Sequence, residues 1–265
     1  MRVALDPGYV LHRREYRDSS LILEALTRDH GRVALVARGA RRPKARLNGL
    51  LQPFSPLLIS WSGRGDLGTL TGAEPNGAAT LRGRMLISGL YLNELLMKLL
   101  TRHDPHPGLF AAYETVLREL GGGGAAEPDD WREQRALRLF EKALLREIGY
   151  GLVLDHDIAT GAPIAAEADY DYQPERGPVE VSEPSHGVRE PAAMPSAAER
   201  FPGIIGGVRV RGRSLISLAS GVLDDAESLR DIKRLMRVII SVCLDHRPLH
   251  SRALTRRVAA EPASE

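Results

Sequence analysis

At Thr80 the sequence changes its period, and that change divides the chain. From Gly8 to Glu74 apolar residues come in short runs broken by turn residues. Beyond Leu81 they recur every three to five positions. A period near two builds strands and a period near 3.6 builds helices. The chain is therefore expected to be α+β, with its sheet first.

Five strands are predicted before the change, over 8–16, 21–27, 32–38, 56–61 and 66–71. Arg28-Asp-His-Gly31 is short and ends in glycine, as a hairpin turn does. In the third strand Val33, Leu35 and Ala37 share one face. Arg32 and Arg38 lie on the other with Ala34 and Val36. The longest break falls between the third and fourth strands and holds a basic loop with one helical turn. An OB-fold has this layout, a five-stranded Greek-key barrel. Another small barrel is the alternative.

After the change, helices are predicted over 81–102, from about 105 to 120, from about 130 to 148, and over 224–245. The first has its stripe at Leu86, Leu90, Glu94/Leu95 and Leu99. Asp104 and Asp129 or Asp130 are candidate caps, and Pro105 suits a first helical position. Prolines punctuate 173–200, which is expected to be a long loop. The domain expectation is a barrel at 1–80, a helical domain at 81–150 and an irregular region at 151–205. A helical segment at 206–265 is expected to pack on the helical domain.

Charge is spread unevenly. Residues 1–80 hold 12 Lys/Arg against 7 Asp/Glu, a balance of +5, and the rest balances at −3. The excess peaks in Arg38-Gly-Ala-Arg-Arg-Pro-Lys-Ala-Arg46, where Arg38, Arg41, Arg42, Lys44 and Arg46 meet no acid. Arginine offers forked donors to phosphate, and each neutralised phosphate releases counterions. Arg13, Arg14, Arg17 and Arg32 extend the candidate DNA-binding set. Tyr9 and Tyr16 are candidates to stack on bases. Trp61 and Phe54 fit the core equally well. In the last helix Arg230, Lys233, Arg234 and Arg237 share a face that suits an acidic peptide or more phosphate, or is simply solvated.

Catalysis and metal binding find little support. The single cysteine, Cys243, lies in an apolar run and excludes a disulfide framework or a multi-cysteine zinc site. His103 and His106 flank a proline turn. The pairs Asp129-Asp130 and Asp224-Asp225 sit where helices begin. No nucleotide loop, nucleophile elbow or zinc-protease motif occurs. The expectation is a binding protein without enzymatic activity or cofactor, cytoplasmic for want of a signal peptide or membrane span.

Several motifs, in order along most of the chain, carry a resemblance. They are Ala37-Arg-Gly-Ala-Arg-Arg-Pro-Lys44, Gly49-Leu-Leu-Gln-Pro-Phe-Ser55 and Trp61-Ser-Gly-Arg-Gly65. Further along come Ser88-Gly-Leu-Tyr-Leu-Asn-Glu-Leu-Leu96, His103-Asp-Pro-His-Pro107 and Arg247-Pro-Leu-His-Ser-Arg252. Together they resemble the bacterial RecO family of DNA-repair proteins. The resemblance implies an N-terminal OB-fold and a helical core. It implies a recombination mediator that binds single- and double-stranded DNA and anneals complementary strands. It also implies work with RecR, and in some species RecF, to place RecA on strands covered by single-strand-binding protein, whose acidic C-terminal tail it contacts. The stripe Arg230, Lys233, Arg234 and Arg237 is the candidate seat for that tail. Many family members carry four zinc-binding cysteines after the position of Tyr150. Asp157 and Thr160 stand where the first pair would be and no later pair exists, so zinc is not expected and 151–205 is a former zinc module. An RNA-binding OB protein, a carboxylate-dependent nuclease and a purely structural adaptor are the rival readings.

Overall fold

The structure, a computed structural model, describes residues 1–42, 45–63, 65–78, 81–122, 129–181, 207–251 and 253–254. Two compact units emerge: Met1–Ile148 with the segment from Pro248, and Gly149–Arg247.

In the first unit, β1 (Arg2–Tyr16), β2 (Ser20–Thr27) and β3 (Gly31–Ala37) form an antiparallel meander. A short helix α1 (Arg46–Leu50) leads into β4 (Pro56–Ser62) and β5 (Leu67–Pro75). The sheet closes in the order β1-β2-β3-β5-β4, with β4 returning to β1 and β3 running parallel to β5. That is the OB arrangement. The inward residues expected from alternation, Val33, Leu35 and Ala37, are at most 1% exposed. They pack with Leu21, Leu23, Leu57, Ile59 and Trp61. Each fully buried aliphatic contributes roughly 1.5–3 kcal/mol. Gly31 has φ +66°, and a Cβ there would lie 2.1 Å from the Asp104 carbonyl oxygen, so the turn admits no side chain.

Three helices follow: α2 (Met85–Leu99), α3 (Pro107–Gly121) and α4 (Asp129–Glu147). Leu86 and Leu90 of the expected stripe are exposed, while Leu92, Leu95 and Leu96 are fully buried. Gly89 is the reason: a Cβ there would sit 2.7 Å from Phe54 and Leu81. The helix approaches closely at Gly89, with Met85, Leu92 and Leu96 also buried, and Leu86 and Leu90 are left outward. Asp104 and Asp130 do not cap helices. α3 begins at Pro107 after His106, with no side-chain cap, and Asp104 lies 3.3 Å from the His106 ring. Asp130 is inside α4, paired with Arg84 at 3.4 Å.

Glu94 of α2 closes this unit. Its carboxylate accepts the amides of His250 and Ser251, both at 2.9 Å, the Ser251 hydroxyl at 2.7 Å, and Lys98 at 3.0 Å. A helical turn opens at His250, so Glu94 supplies its missing cap from another helix. Burial alone would raise the carboxyl. The hydrogen bonds from Ser251 and His250 and the Lys98 contact outweigh it and hold the group at about 2.

In the second unit β6 (Asp169–Gln173), β7 (Gly177–Glu180) and β8 (Val208–Arg211) form an antiparallel sheet in the order β7-β6-β8. Helices α5 (Gly212–Ser220) and α6 (Ala226–Cys243) follow, and α6 is capped by Asp225 accepting the Ser228 amide at 2.7 Å. The 173–200 loop is corrected over its first part, where β7 pairs with β6. Pro178 is tolerated because β7 is the sheet's edge strand. Residues 182–200 lie outside the described residues.

Asp157 organises the stretch before this sheet and is 1% exposed. One carboxylate oxygen accepts the amides of Ala159 at 2.8 Å and Thr160 at 2.7 Å and the Thr160 hydroxyl at 3.0 Å. The other accepts the Glu180 amide of β7 at 2.5 Å. Burial pushes this carboxyl up, but these hydrogen bonds outweigh it and the net shift is downward. Carboxylate and turn thus tie the loop to the sheet edge.

Two outcomes test these ties. Glu94→Gln is expected to cost roughly 2 kcal/mol in urea unfolding at pH 7. A carboxyl with a depressed folded value stabilises above its ordinary value near 4.5 and loses that contribution as pH falls toward 2. The difference between wild type and variant should therefore shrink over that window. Asp157→Ala is expected to cost roughly 2–3 kcal/mol, whereas a metal chelator should leave the wild-type melting temperature unchanged.

Candidate nucleic-acid interface

A bulge in β1 sets the site. The β1–β2 register shifts between Val10 and His12, leaving Leu11 out of the ladder. Its carbonyl is taken by the Asn93 side chain of α2 at 2.8 Å, and Asn93 in turn accepts the Tyr113 hydroxyl at 2.5 Å. Beyond the bulge Arg14 and Arg17 are exposed, and Arg13 and Tyr16 are half-buried.

The tip of the β1–β2 hairpin and the loop after β3 form one rim. The Arg41 amide donates to the Ser19 carbonyl at 2.9 Å, and its guanidinium reaches the Arg17 carbonyl at 3.4 Å. Ala40 is fully buried and pins the loop to the barrel. Arg38 and Arg42 stand exposed on either side. Arg13 donates to the Asn48 carbonyl at 3.3 Å and to its side-chain oxygen at 3.2 Å, tying β1 to α1. Arg17 has φ +52°, and its guanidinium lies 5.1 Å from the Tyr16 ring centroid, a cation–π distance. The rim therefore gathers Arg13, Arg14, Arg17, Arg38, Arg41, Arg42 and Tyr16. Two acids lie within it: Asp18, exposed at the hairpin tip, and Glu15, 2.9 Å from Arg41. An exposed pair of this kind is worth about 0–1 kcal/mol, so phosphate can displace it.

Other candidates lie elsewhere. Tyr9 is 6% exposed. Its ring packs 5.2 Å from Tyr113 and 5.8 Å from Phe110, and its hydroxyl donates to Glu114 at 3.3 Å. Burial, then the Glu114 charge, raises its hydroxyl pKa. It is a core residue and offers no face to a base. Arg32 is covered by the end of α2. It donates to the Met97 carbonyl and lies 3.8 Å from Glu24, which also pairs with Arg102. Lys44 lies outside the described residues. Arg46 opens α1, its side chain undescribed. Phe54 and Trp61 are both buried. In α6, Arg234 is held by Asp231 at 2.9 Å and the Arg209 carbonyl at 2.6 Å, while Arg230, Lys233 and Arg237 are exposed.

Two features escaped the sequence reading. Asn48 looks like an ordinary loop residue, and only the fold places it beside Arg13. A groove between α3 and α4, lined by Ala111, Ala112, Thr115, Val116, Ala136, Leu139 and Phe140 together with Glu119, is largely apolar. Helical spacing alone does not show that it stays open. Among the described residues no three His, Cys, Asp or Glu side chains are placed to hold a metal ion. No helix there is long and apolar enough to cross a membrane.

A closed five-stranded barrel with an arginine-rich rim, continued by helices, defines an OB-type protein. The comparisons narrow the class. The family model described as Recombination protein O N terminal matches residues 1–78, and Recombination protein O C terminal matches 82–253. The chain belongs to the RecO family. It is 46% identical to DNA repair protein RecO of Alkalilimnicola ehrlichii, over 98% of this chain and 94% of that one. With the protein of the same name from Nitrosococcus oceani it shares 44% identity, over 96% and 93%. The figures for Azoarcus sp. are 42%, over 97% of each chain.

The rim makes a distinction between the two tyrosines. Tyr16→Ala is expected to weaken binding of a short single strand by about 1–3 kcal/mol, the usual worth of one stacked base. Tyr9→Phe should leave that affinity unchanged. Fluorescence anisotropy of a labelled oligonucleotide measures both.

Proposed function

We propose that this chain is a recombination mediator in DNA repair that works by binding and not by catalysis. It holds single- and double-stranded DNA on the barrel rim and anneals complementary strands. It acts with RecR, and with RecF in some species, to help RecA onto strands covered by single-strand-binding protein. The observation that carries the reading is the rim itself. Two loops distant in sequence are bonded at Arg41 and Ser19, and together they present six arginines around one tyrosine. Annealing follows physically. Neutralising phosphates on two strands lowers their repulsion, and no covalent step is required.

The acidic tail of single-strand-binding protein is a peptide. A peptide seat is better made with an apolar floor beside positive charge. The α3–α4 groove has such a floor, with Glu119 as its one acid, and Arg132 and Arg135, which have contacts of their own, lie one helical turn before Ala136 and Leu139. The groove is therefore our preferred seat for the tail, ahead of the α6 stripe.

A strand-annealing assay tests the whole reading. Purified protein is expected to anneal naked complementary strands and strands coated with single-strand-binding protein. It should lose the second activity when the coating protein lacks its tail. Thr115→Trp, which fills the groove, should reproduce that selective loss. Arg38→Ala, Arg41→Ala and Arg42→Ala combined should flatten the dependence of log affinity on log salt by about 2, near 0.7 per lost phosphate contact. An unchanged slope would remove the rim from the site. Tighter binding of RNA than DNA, or magnesium-dependent strand cleavage, would overturn the function.

A further inference from the structure

The second unit has its own pattern of charge. Arg209 pairs with Asp169 at 3.1 Å, Arg211 with Glu227 at 3.1 Å and Arg213 with Glu167 at 2.8 Å. Arg234 pairs with Asp231 at 2.9 Å and Arg247 with Asp245 at 3.3 Å. Arg176 also has a partner. Arg230, Lys233 and Arg237 remain, and they stand on one helix, α6, at spacings of three and four. That spacing puts them in one stripe. The cations left without an acid in the described part of this unit are therefore the ones that share a face.

We infer that this face of α6 is a second surface for a nucleic-acid phosphate backbone, separate from the barrel rim. The inference rests on the DNA-binding reading above and extends it to a second place on the chain. Every large apolar side chain of α6 from Leu229 to Ile240, apart from the half-buried Val238, is at most 3% exposed. The acids of α6, Glu227 and Asp231, are engaged by Arg211 and Arg234. The outward face thus offers positive charge with no apolar seat. A ligand recognised by charge alone is a polyanion, which favours phosphate over an acidic peptide that must also bury side chains. At 1.5 Å rise per residue the stripe from Arg230 to Arg237 is about 10 Å long. That is the axial length of roughly three phosphates on a stacked strand. A chain with backbone grips on both units can hold two strands, or one strand twice, which is what annealing without catalysis requires.

The test is the salt dependence of single-strand binding by the full chain. The combined variant Arg230→Gln, Lys233→Gln and Arg237→Gln keeps good helix formers in an exposed face, so folding is expected to be retained and is checked by thermal melting. We expect it to lower the slope of log affinity against log salt by one to two, with the rim intact. A control variant, Arg209→Gln, Arg213→Gln and Arg247→Gln, removes the same net charge from paired positions. It is expected to change the slope far less. Equal losses in the two variants would mean that only net charge matters and would overturn the inference. So would an unchanged slope in the α6 variant alongside a reduced one in the rim variant, a result that leaves the DNA reading standing. Loss of a labelled polyglutamate peptide with no change in DNA binding would assign the stripe to an acidic peptide instead. Absence of salt-dependent DNA binding by the wild type would sink both readings at once.

Discussion

The Asn93 side chain is the contact on which the first unit depends. A bulged strand leaves a backbone carbonyl without its ladder partner, and an unpaired buried carbonyl costs of order 1–3 kcal/mol. Asn93 donates to that carbonyl at Leu11 and accepts from Tyr113, so one amide links β1, α2 and α3. The bulge also resets which side chains point outward. Arg14 reaches solvent because the register shifts between Val10 and His12. A buried amide 2% exposed thus decides how the surface charge is presented.

The same economy recurs at Glu94 and Asp157. Each is a carboxylate taken from water and given enough amide and hydroxyl donors to remain charged. Each joins segments far apart in sequence: α2 to residues 250–251, and the 157–160 turn to β7. The surface charges behave differently. Those on the rim and on α6 sit in water, where a pair at 4 Å is worth about 1 kcal/mol and salt screens it within about 10 Å. The fixed acids hold the fold together, and the exposed bases remain available for ligands.

Much of this was legible in the residues. The five strands follow from alternation, and the barrel closure follows from their number and the long break before β4. The loop at 38–46 announced the rim because a run of arginines without acids has few structural uses. Other features were not legible. Tyr9 and Tyr16 lie on one strand, the bulge between them puts both outside the barrel core, and only the covering helix α3 buries Tyr9. Arg32 matched the other arginines in type, but the end of α2 lies over it. Leu86 and Leu90 had helical spacing and still face out, because the helix packs at Gly89 against Phe54. In each case the deciding partner is distant in sequence, and local period carries no trace of it. Asp157 was legible only as a position that the resemblance sets apart. That the carboxylate itself would hold the turn was not.

Glu94 has one more consequence, concerning the order of assembly. The last cap of the first unit forms when Glu94 meets His250 and Ser251, while the whole of Gly149–Arg247 lies in sequence between those residues and the rest of the unit. A chain leaving the ribosome can close the barrel and stack its three helices early. Lys98 can meet Glu94 at that stage, but the His250 and Ser251 donors come only after about a hundred further residues have been made. The finished contact therefore marks a chain that has been translated through its second unit.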